Sequence, residues 1–323
     1  MKALITGSEG FVGRYMRREL TEAGYEVTGL DRVDGPDTIR ADLLDPESIR
    51  KIAAEIRPEV IIHLAAQADV GKSWKAPQLT MNLNVIASIN LLEALREAKL
   101  TETRVVLVGS SDQYGSLGAA GERVTEETEM KPGSPYAVSK RAQEETARLY
   151  VKAYGMNICM TRSFNHGGAG QRTGFMIPDF ASGIVRIEQG LAQDLAVGNL
   201  ASRRDFTHVK DIVRAYRLIA EKGRAGEAYN VGSGVTWSAQ EILDKLCRMA
   251  KCPIPVRQDP ARMRPSDTPV ICCDHSKLTR DTGWVPELPL ESILEDTLEF
   301  YRGGFPIAPP APFGHEKTKI EEI

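Results

Sequence analysis

Lys2-Ala3-Leu4-Ile5-Thr6-Gly7-Ser8-Glu9-Gly10-Phe11-Val12-Gly13 follows the first methionine of the chain. Lys2 to Thr6 reads as a buried strand, the glycine-rich stretch as a tight turn, and the residues onward to about Ala23 as a helix. A strand that turns through glycines into a helix N-terminus makes a pyrophosphate cradle, because backbone N–H groups and the positive helix end face the anion. The spacing is Gly-x-x-Gly-x-x-Gly, not Gly-x-Gly-x-x-Gly, and an isolated glycine triplet is more often a plain turn. What decides the reading is the next apolar run, Tyr25 to Leu30, which ends in Asp31, 18 residues beyond Gly13. A carboxylate there accepts hydrogen bonds from adenosine ribose hydroxyls and repels a 2′-phosphate. NAD(H) is therefore favoured, with NADP(H) as the alternative, since Arg32 next door can take a phosphate.

Outward from this turn, short apolar runs alternate with amphipathic helices up to about residue 165. The runs near 2–6, 26–30, 38–41, 59–63, 104–109 and 157–163 predict an α/β fold with a parallel sheet covered on both faces. Two predicted helices, near 78–98 and 136–154, are unusually apolar for surface helices, with Leu91, Leu92 and Leu95 suited to a core or a subunit contact. After Asn165 the pattern breaks. Gly167 to Gly174 reads as a mobile loop and not a phosphate cradle, since no strand leads into it. A helix is expected near 176–190, and Phe206 to Ala220 returns to a strand–helix unit. The expected division is a dinucleotide-binding domain at 1–165 plus about 205–230, a smaller domain at 166–204 and 231–303, and a disordered tail at 304–323.

Composition narrows the class. The chain has 323 residues and a net charge of -3, which offers no basic patch for nucleic acid. No run of about 20 apolar residues suggests a membrane span. The first residues form a strand, so no cleavable signal peptide is expected. The five cysteines are odd in number and lack metal-ligand spacing, so they read as packing residues in a reducing cytoplasm; no metal site is expected.

Tyr136 and Lys140 in Ser134-Pro135-Tyr136-Ala137-Val138-Ser139-Lys140 stand just over one helical turn apart and share a helix face. An ammonium beside a phenol is expected to lower the phenol's pKa towards working pH. Ser110-Ser111 lies 25 residues upstream, at the end of an apolar run. A hydroxyl, a phenol and an amine can together move a proton on or off an alcohol or ketone while a cofactor moves a hydride. A lone Tyr-x-x-x-Lys is usually an aromatic ring packed on a lysine stem; the glycine turn and Asp31 make the chemical reading the stronger one.

Taken together these residues resemble the extended short-chain dehydrogenase/reductase family of nucleotide-sugar epimerases, dehydratases and reductases, over roughly residues 1 to 302. Also matching are Asp42-Leu43, His63-Leu64-Ala65-Ala66, Asn82-Leu83-Asn84-Val85, Ser110-Ser111-Asp112-Gln113-Tyr114-Gly115, Arg162-Ser163-Phe164-Asn165 and Arg204-Asp205-Phe206-Thr207-His208-Val209. The resemblance implies a Rossmann-type doubly wound sheet with a smaller α/β substrate-binding domain. It implies cofactor contacts from Gly7, Gly10, Phe11, Val12, Gly13, Asp31, Arg32, Asp42, Leu43, Leu64, Ala65, Ala66, Asn84, Tyr136 and Lys140. Tyr136 would be the acid/base at sugar O4, Lys140 would lower its pKa and bind the nicotinamide ribose, and Ser110 would hydrogen-bond O4. A homodimer through the two apolar helices is implied, or a tetramer built on it.

Within the family the substrate end is similar to the branch that handles GDP-sugars derived from mannose. Asn165-His166, Gly174-Phe175-Met176, Val197-Gly198-Asn199-Leu200, Arg203-Arg204-Asp205-Phe206 and Arg264-Pro265-Ser266-Asp267 carry that likeness. Ser73, Ser111, Asn165, Phe175, Asn199, Arg204 and Arg264 are the implied substrate contacts, and Arg203 reads as a surface salt bridge. Family dehydratases carry a glutamate at the position of Asp112, which leaves Asp112 open between a catalytic base and a loop-capping acid. The branch's 4,6-dehydratases place a glutamine-aspartate pair in the glycine turn and a lysine where this chain has Asp179, and this chain departs from both. Those departures, with Ser73-Trp74, point to the sister reductases, which reduce GDP-4-keto-6-deoxymannose at C4 to GDP-rhamnose. A 4,6-dehydratase with Asp112 as base, a 4-epimerase, and a non-catalytic NAD-binding sensor are the alternatives.

Overall fold

Alternation decides how the first strand is buried. In Lys2–Thr6, Ala3 and Ile5 enter one apolar cluster and Leu4 enters another, so both faces of the strand are covered. The computed structural model describes residues 1–115, 123–262 and 270–304. In chain order the elements begin β1 (Lys2–Thr6), α1 (Phe11–Glu22), β2 (Glu26–Asp31), β3 (Thr38–Arg40), α2 (Pro46–Ile56), β4 (Val60–His63), α3 (Val70–Lys75) and α4 (Pro77–Met81). A π-helical turn (Asn82–Ile86) leads to α5 (Ala87–Glu97), β5 (Arg104–Ser110), a 3₁₀ turn (Ser111–Tyr114), β6 (Arg123–Val124), α6 (Pro135–Tyr154), β7 (Ile158–Ser163) and β8 (Asn165–Gly167). Then come α7 (Met176–Glu188), β9 (Leu195–Val197), β10 (Arg203–His208), α8 (Val209–Lys222), β11 (Ala228–Val231), β12 (Thr236–Ser238) and α9 (Ala239–Met249). The last elements are β13 (Val256–Gln258), a 3₁₀ turn (Pro260–Arg262), β14 (Val270–Cys273), α10 (Ser276–Thr282) and α11 (Leu290–Arg302).

Seven strands form one sheet in the order β11-β7-β5-β4-β1-β2-β3, every neighbouring pair parallel. The order reverses between β1 and β4, which is the switch point where doubly wound sheets bind ligands. One face packs on α1 and α8 through Met16, Leu20, Ile212, Tyr216 and Ile219. The other packs on α2 and α5 through Ile49, Ile52, Leu91, Leu92 and Leu95. Local signals set the helix ends. Asp45 caps α2 by accepting from the N–H groups of Glu47 and Ser48, with Pro46 at its start. Ser134 caps α6 by accepting from Ala137 N–H, Pro135 follows, and Gly155 ends the helix in the left-handed region.

The chain divides into two compact units. The first takes Met1–His166, Asp205–Val235 and Ile271–Leu288; the second takes the described residues within Gly167–Arg204, Thr236–Val270 and Pro289–Ile323. Residues 271–288 thus belong with the dinucleotide-type sheet, where the sequence reading put all of 231–303 in the smaller domain. The reason is apolar burial: Leu278 and Trp284 fill the same core as α8, and Trp284 Nε1 donates to Asp211 O at 3.0 Å. The expected helix near 78–98 runs from Pro77 to Glu97, with a π-helical turn inside it centred on Asn84. In the second unit, β9 and β13 pair in parallel, and Arg302 holds Glu188 at 2.6 Å. Residues 305–323 of the expected tail lie outside the described residues. Among the described residues no helix is long and apolar enough to cross a membrane, and no group of His, Cys, Asp and Glu could hold a metal ion.

Candidate active site

The glycine turn depends on close backbone approach. Gly7 has φ +72°, and a Cβ on it would lie 2.9 Å from Ala65 N. A Cβ on Gly13 would lie 2.2 Å from the Gly7 carbonyl oxygen. Gly10 N–H donates to Gly7 O at 3.1 Å and stands at the N-cap of α1, which has no side-chain cap and no acid in its first turn. The positive end of α1, beside Phe11 and Val12, therefore suits an anion, and the residues fit a dinucleotide pyrophosphate. Asp31 ends β2 with its carboxylate anchored by Glu9 N–H at 3.0 Å and Arg32 N–H at 2.7 Å. Arg40 is its register partner across β2 and β3, and a cavity of about 380 Å³ is lined by Arg32, Arg40, Ala41 and Asp42. Leu43 is buried in the core beside this edge. Leu64 and Ala65 follow β4, and Ala65 N–H donates to Thr6 Oγ1 at 3.3 Å; Ala66 is exposed.

Ser110 ends β5, so it shares the carboxyl edge of the sheet with Asp31 and the glycine turn. Its hydroxyl accepts Asp112 N–H at 3.2 Å and is near enough to the Tyr136 phenol to act on its pKa. Tyr136 lies in the first turn of α6. Burial raises the phenol's pKa above its ordinary value, the Asp112 charge raises it further, and the Ser110 hydroxyl works against both. Ser111 is buried and Asp112 half-buried in the following turn.

Lys140 is buried one turn after Tyr136, as the spacing required. Its ammonium donates to Val108 O at 2.8 Å and Gln143 Oε1 at 3.0 Å, so its charge is spent on β5 and on its own helix. Burial drives Lys140 down to about 7. Behind it runs a closed polar chain. Gln143 Nε2 donates to Ser88 Oγ at 2.6 Å, Ser88 meets His63 Nε2 at 2.9 Å, and His63 Nδ1 meets Thr6 Oγ1 at 2.8 Å. Burial, with the nearby Lys140 charge, lowers His63 to about 3, so this ring is neutral. Asn84, on the π-helical turn, clamps the Gln67 backbone, accepting its N–H at 2.8 Å and donating to its carbonyl at 3.1 Å, and reaches Ser139 Oγ at 2.9 Å.

The expected substrate contacts are divided. Ser73 is buried and its hydroxyl donates to Val70 O at 2.6 Å. Asn165 is exposed at the start of β8. Phe175, Asn199 and Arg204 lie in the second unit. Phe175 is the N-cap of α7, Asn199 Oδ1 accepts Ala201 N–H at 2.9 Å, and Arg204 Nη1 donates to Arg203 O at 2.7 Å. Arg203 makes the surface salt bridge read from sequence, to Glu241 at 3.0 Å. Arg264 lies outside the described residues. Asp179 accepts Gly174 N–H at 2.7 Å. Sequence reasoning passed over Gln113, Glu144, Ser88 and Gln143 as parts of the site, because the bonds that join them, Gln113 to Glu144 and Gln143 to Ser88, cross 31 and 55 residues; the signal that could have found Gln113 is the capping-box spacing Ser110-x-x-Gln113.

The family of GDP-mannose 4,6 dehydratases matches residues 4–297. This chain belongs to that family. The GDP-6-deoxy-D-mannose reductase of Pseudomonas aeruginosa is 35% identical over 298 residues, 92% of this chain and 96% of that protein. A GDP-mannose 4,6-dehydratase of Vibrio cholerae is 29% identical over 344 residues, 91% of each chain. Among solved structures, RMD from Pseudomonas aeruginosa complexed with NADPH superposes with a TM-score of 0.85 at 32% identity, covering 94% of this chain and 99% of that one. The Thermus thermophilus UDP-glucose 4-epimerase complex with NAD reaches 0.86 at 28% identity, covering 94% and 100%. As a member of this family the chain is an NAD(P)-dependent nucleotide-sugar oxidoreductase with a Rossmann-type sheet.

Burial of Lys140 makes stability depend on pH. The folded chain releases its proton near pH 7, the unfolded chain only near 10.5. Between those values the unfolded state binds more protons, so the lysine's contribution rises with pH and is lost as pH falls through about 7. Denaturant titrations of the wild type from about pH 6 to about pH 10 should show this rise, and Lys140→Met should flatten it. Parallel profiles for the two proteins would rule out a depressed Lys140.

Proposed function

We propose that this chain reduces GDP-4-keto-6-deoxy-D-mannose at C4 to GDP-rhamnose. The observation that carries the proposal is the 35% identity, over 92% of this chain, to a GDP-6-deoxy-D-mannose reductase. The Tyr136 phenol, protonated at working pH, carries the proton that the oxygen of a 4-ketone needs as it becomes an alcohol. A bound dihydronicotinamide supplies the hydride. Ser110 orients O4 beside Tyr136. Lys140, with two of its donors fixed on Val108 and Gln143, keeps a third for the nicotinamide ribose. The family resemblance assigns the diphosphate and guanine to Asn165, Arg204 and Arg264, through charge-assisted, forked hydrogen bonds, and names Ser73, Ser111, Phe175 and Asn199 as further substrate contacts. The stronger likeness to the P. aeruginosa reductase than to the V. cholerae dehydratase supports this reading.

The second reading, a GDP-mannose 4,6-dehydratase with Asp112 as base at C5, is favoured by the nearness of the Asp112 charge to Tyr136. Its aspartate is one methylene shorter than the glutamate that the resemblance implies for dehydratases, and proton abstraction is sensitive to reach. A cofactor sensor needs no proton-handling trio. The deciding experiment offers the protein the 4-keto sugar with NADH or NADPH, and separately GDP-mannose alone in deuterated water. Reduction of the keto sugar is expected, with roughly a 10²–10⁴-fold loss in Tyr136→Phe. Dehydrated product from GDP-mannose, labelled at C5 and lost in Asp112→Asn, would establish the dehydratase instead.

For the cofactor we favour NAD(H), on the anchored Asp31 carboxylate. Arg32 and Arg40 line the neighbouring cavity and are what a 2′-phosphate would use, as befits a chain resembling the NADPH complex of RMD. Titration of the wild type should give tighter binding of NADH than NADPH. Asp31→Ser should narrow or reverse the preference by relieving like-charge repulsion. Equal affinities in the wild type would transfer the decision to the arginines.

A cytoplasmic homodimer is part of the proposal. Leu79 and Ile86, on the run from α4 to α5, and Val138, Leu149 and Tyr154 on α6 are large apolar side chains left exposed. The five cysteines are all free thiols. Sedimentation should give a dimer, and Leu149→Glu should shift it towards monomer; a wild-type monomer at micromolar concentration would refute the interface.

A further inference from the structure

Gln113 is fully buried in the 3₁₀ turn that follows β5. Its side-chain oxygen accepts the backbone N–H of Ser110 at 3.1 Å, and its side-chain nitrogen donates to Glu144 Oε2 at 2.8 Å. Glu144 is held from the far side by Arg162, whose Nε donates to Oε2 at 3.0 Å and Nη2 to Oε1 at 2.7 Å. Arg162 is fixed in turn by donating to the Tyr114 hydroxyl and the Glu126 carbonyl, each at 2.9 Å. The Tyr114 hydroxyl passes on to Asn230 Oδ1 at 2.6 Å.

This arrangement leaves the Gln113 amide one orientation. Ser110 N–H can only donate, and an ionised carboxylate can only accept. A flipped amide would set N–H against N–H and carbonyl against carboxylate, in a place no water reaches to relieve it. The Ser110 backbone is therefore tied by Gln113 while its hydroxyl is tied by Asp112 N–H at 3.2 Å. Those two ties fix the hydroxyl that acts on the Tyr136 phenol. We propose that Gln113, oriented by the buried Glu144–Arg162 pair, is the positioning residue that sets Ser110 against Tyr136. The inference rests on the reductase reading for its kinetic consequence. The geometry it concerns exists without substrate.

Gln113→Met keeps the length and removes both hydrogen bonds. It should lower kcat for keto-sugar reduction by about tenfold or more, since small misplacements near a reacting group are costly, and leave cofactor affinity within about twofold. In a Ser110→Ala background the same change should cost less than about twofold, because the group it positions is gone. Gln113→Glu adds a pH readout. The introduced acid, buried beside the Glu144 carboxylate, has its ionisation pushed up. Protonated, it can donate to Glu144 and accept from Ser110 N–H; as pH rises it loses that proton and two carboxylates face each other. Its kcat should therefore fall with rising pH through an ionisation absent from the wild type. Amide hydrogen exchange of the segment containing Ser110, measured without substrate, should quicken in Gln113→Met.

Wild-type kcat with unchanged exchange in Gln113→Met would overturn the proposal, as would equal losses with and without Ser110. If Gln113→Met does not fold, a Gln113→Glu profile that matches the wild type overturns it. A wild type that binds cofactor but reduces no keto sugar defeats the functional reading alone, and the exchange measurement then decides the positioning role.

Discussion

Arg162 donates twice to the Glu144 carboxylate where both side chains are nearly sealed from water, at 4% and 2% exposure. Burying two charges is expensive, and the arrangement holds only because the remaining lone pairs and protons are met. Gln113 and Arg148 also donate to Glu144, and Arg162 also donates to Tyr114 and Glu126. The pair ties β7 to α6, the turn after β5 and, through Tyr114 and Asn230, β11. Breaking one partner of such a pair costs on the order of 3–5 kcal/mol, because a charge is left buried and alone. These are also the elements that carry Ser110, Tyr136 and Lys140. One electrostatic constraint thus stabilises the sheet edge and gives the candidate site its rigidity.

The parallel sheet supplies the second condition. Asp31, the glycine turn, His63 and Ser110 all stand at the ends of β2, β1, β4 and β5. A parallel sheet puts its strand ends on one edge, so residues from distant parts of the chain meet there without long loops. The tight packing of Gly7 on Ala65 and of Gly13 on Gly7 sets the start of α1 against that edge. An anion at the helix start and a ribose at Asp31 then follow from one backbone path.

Burial also sets the acid–base character of the trio. Lys140 is driven down and Tyr136 up, and desolvation is the leading cause in both. The polar chain from Thr6 through His63, Ser88 and Gln143 to Lys140 lets a lysine and a histidine remain in the interior, each with its hydrogen bonds satisfied.

The local features were legible in the chain itself. Strand, glycine turn and helix from Lys2 onward, Asp31 at the end of the next strand, and Tyr136 and Lys140 on one face of α6 all follow from backbone geometry and short-range periodicity, which a sequence carries directly. Only the tertiary structure decided that Lys140 donates to Val108 and Gln143, and that burial and the Asp112 charge raise the phenol's pKa. It also brought Leu278 and Trp284 into the first unit's core, set a π-helical turn at Asn84, and joined Gln113 to Arg162 through Glu144. The physical reason is common to all of these. Burial and hydrogen-bond partnership depend on residues tens of positions apart, and nothing in the spacing of neighbours records which distant group will take a proton, a cavity or a charge.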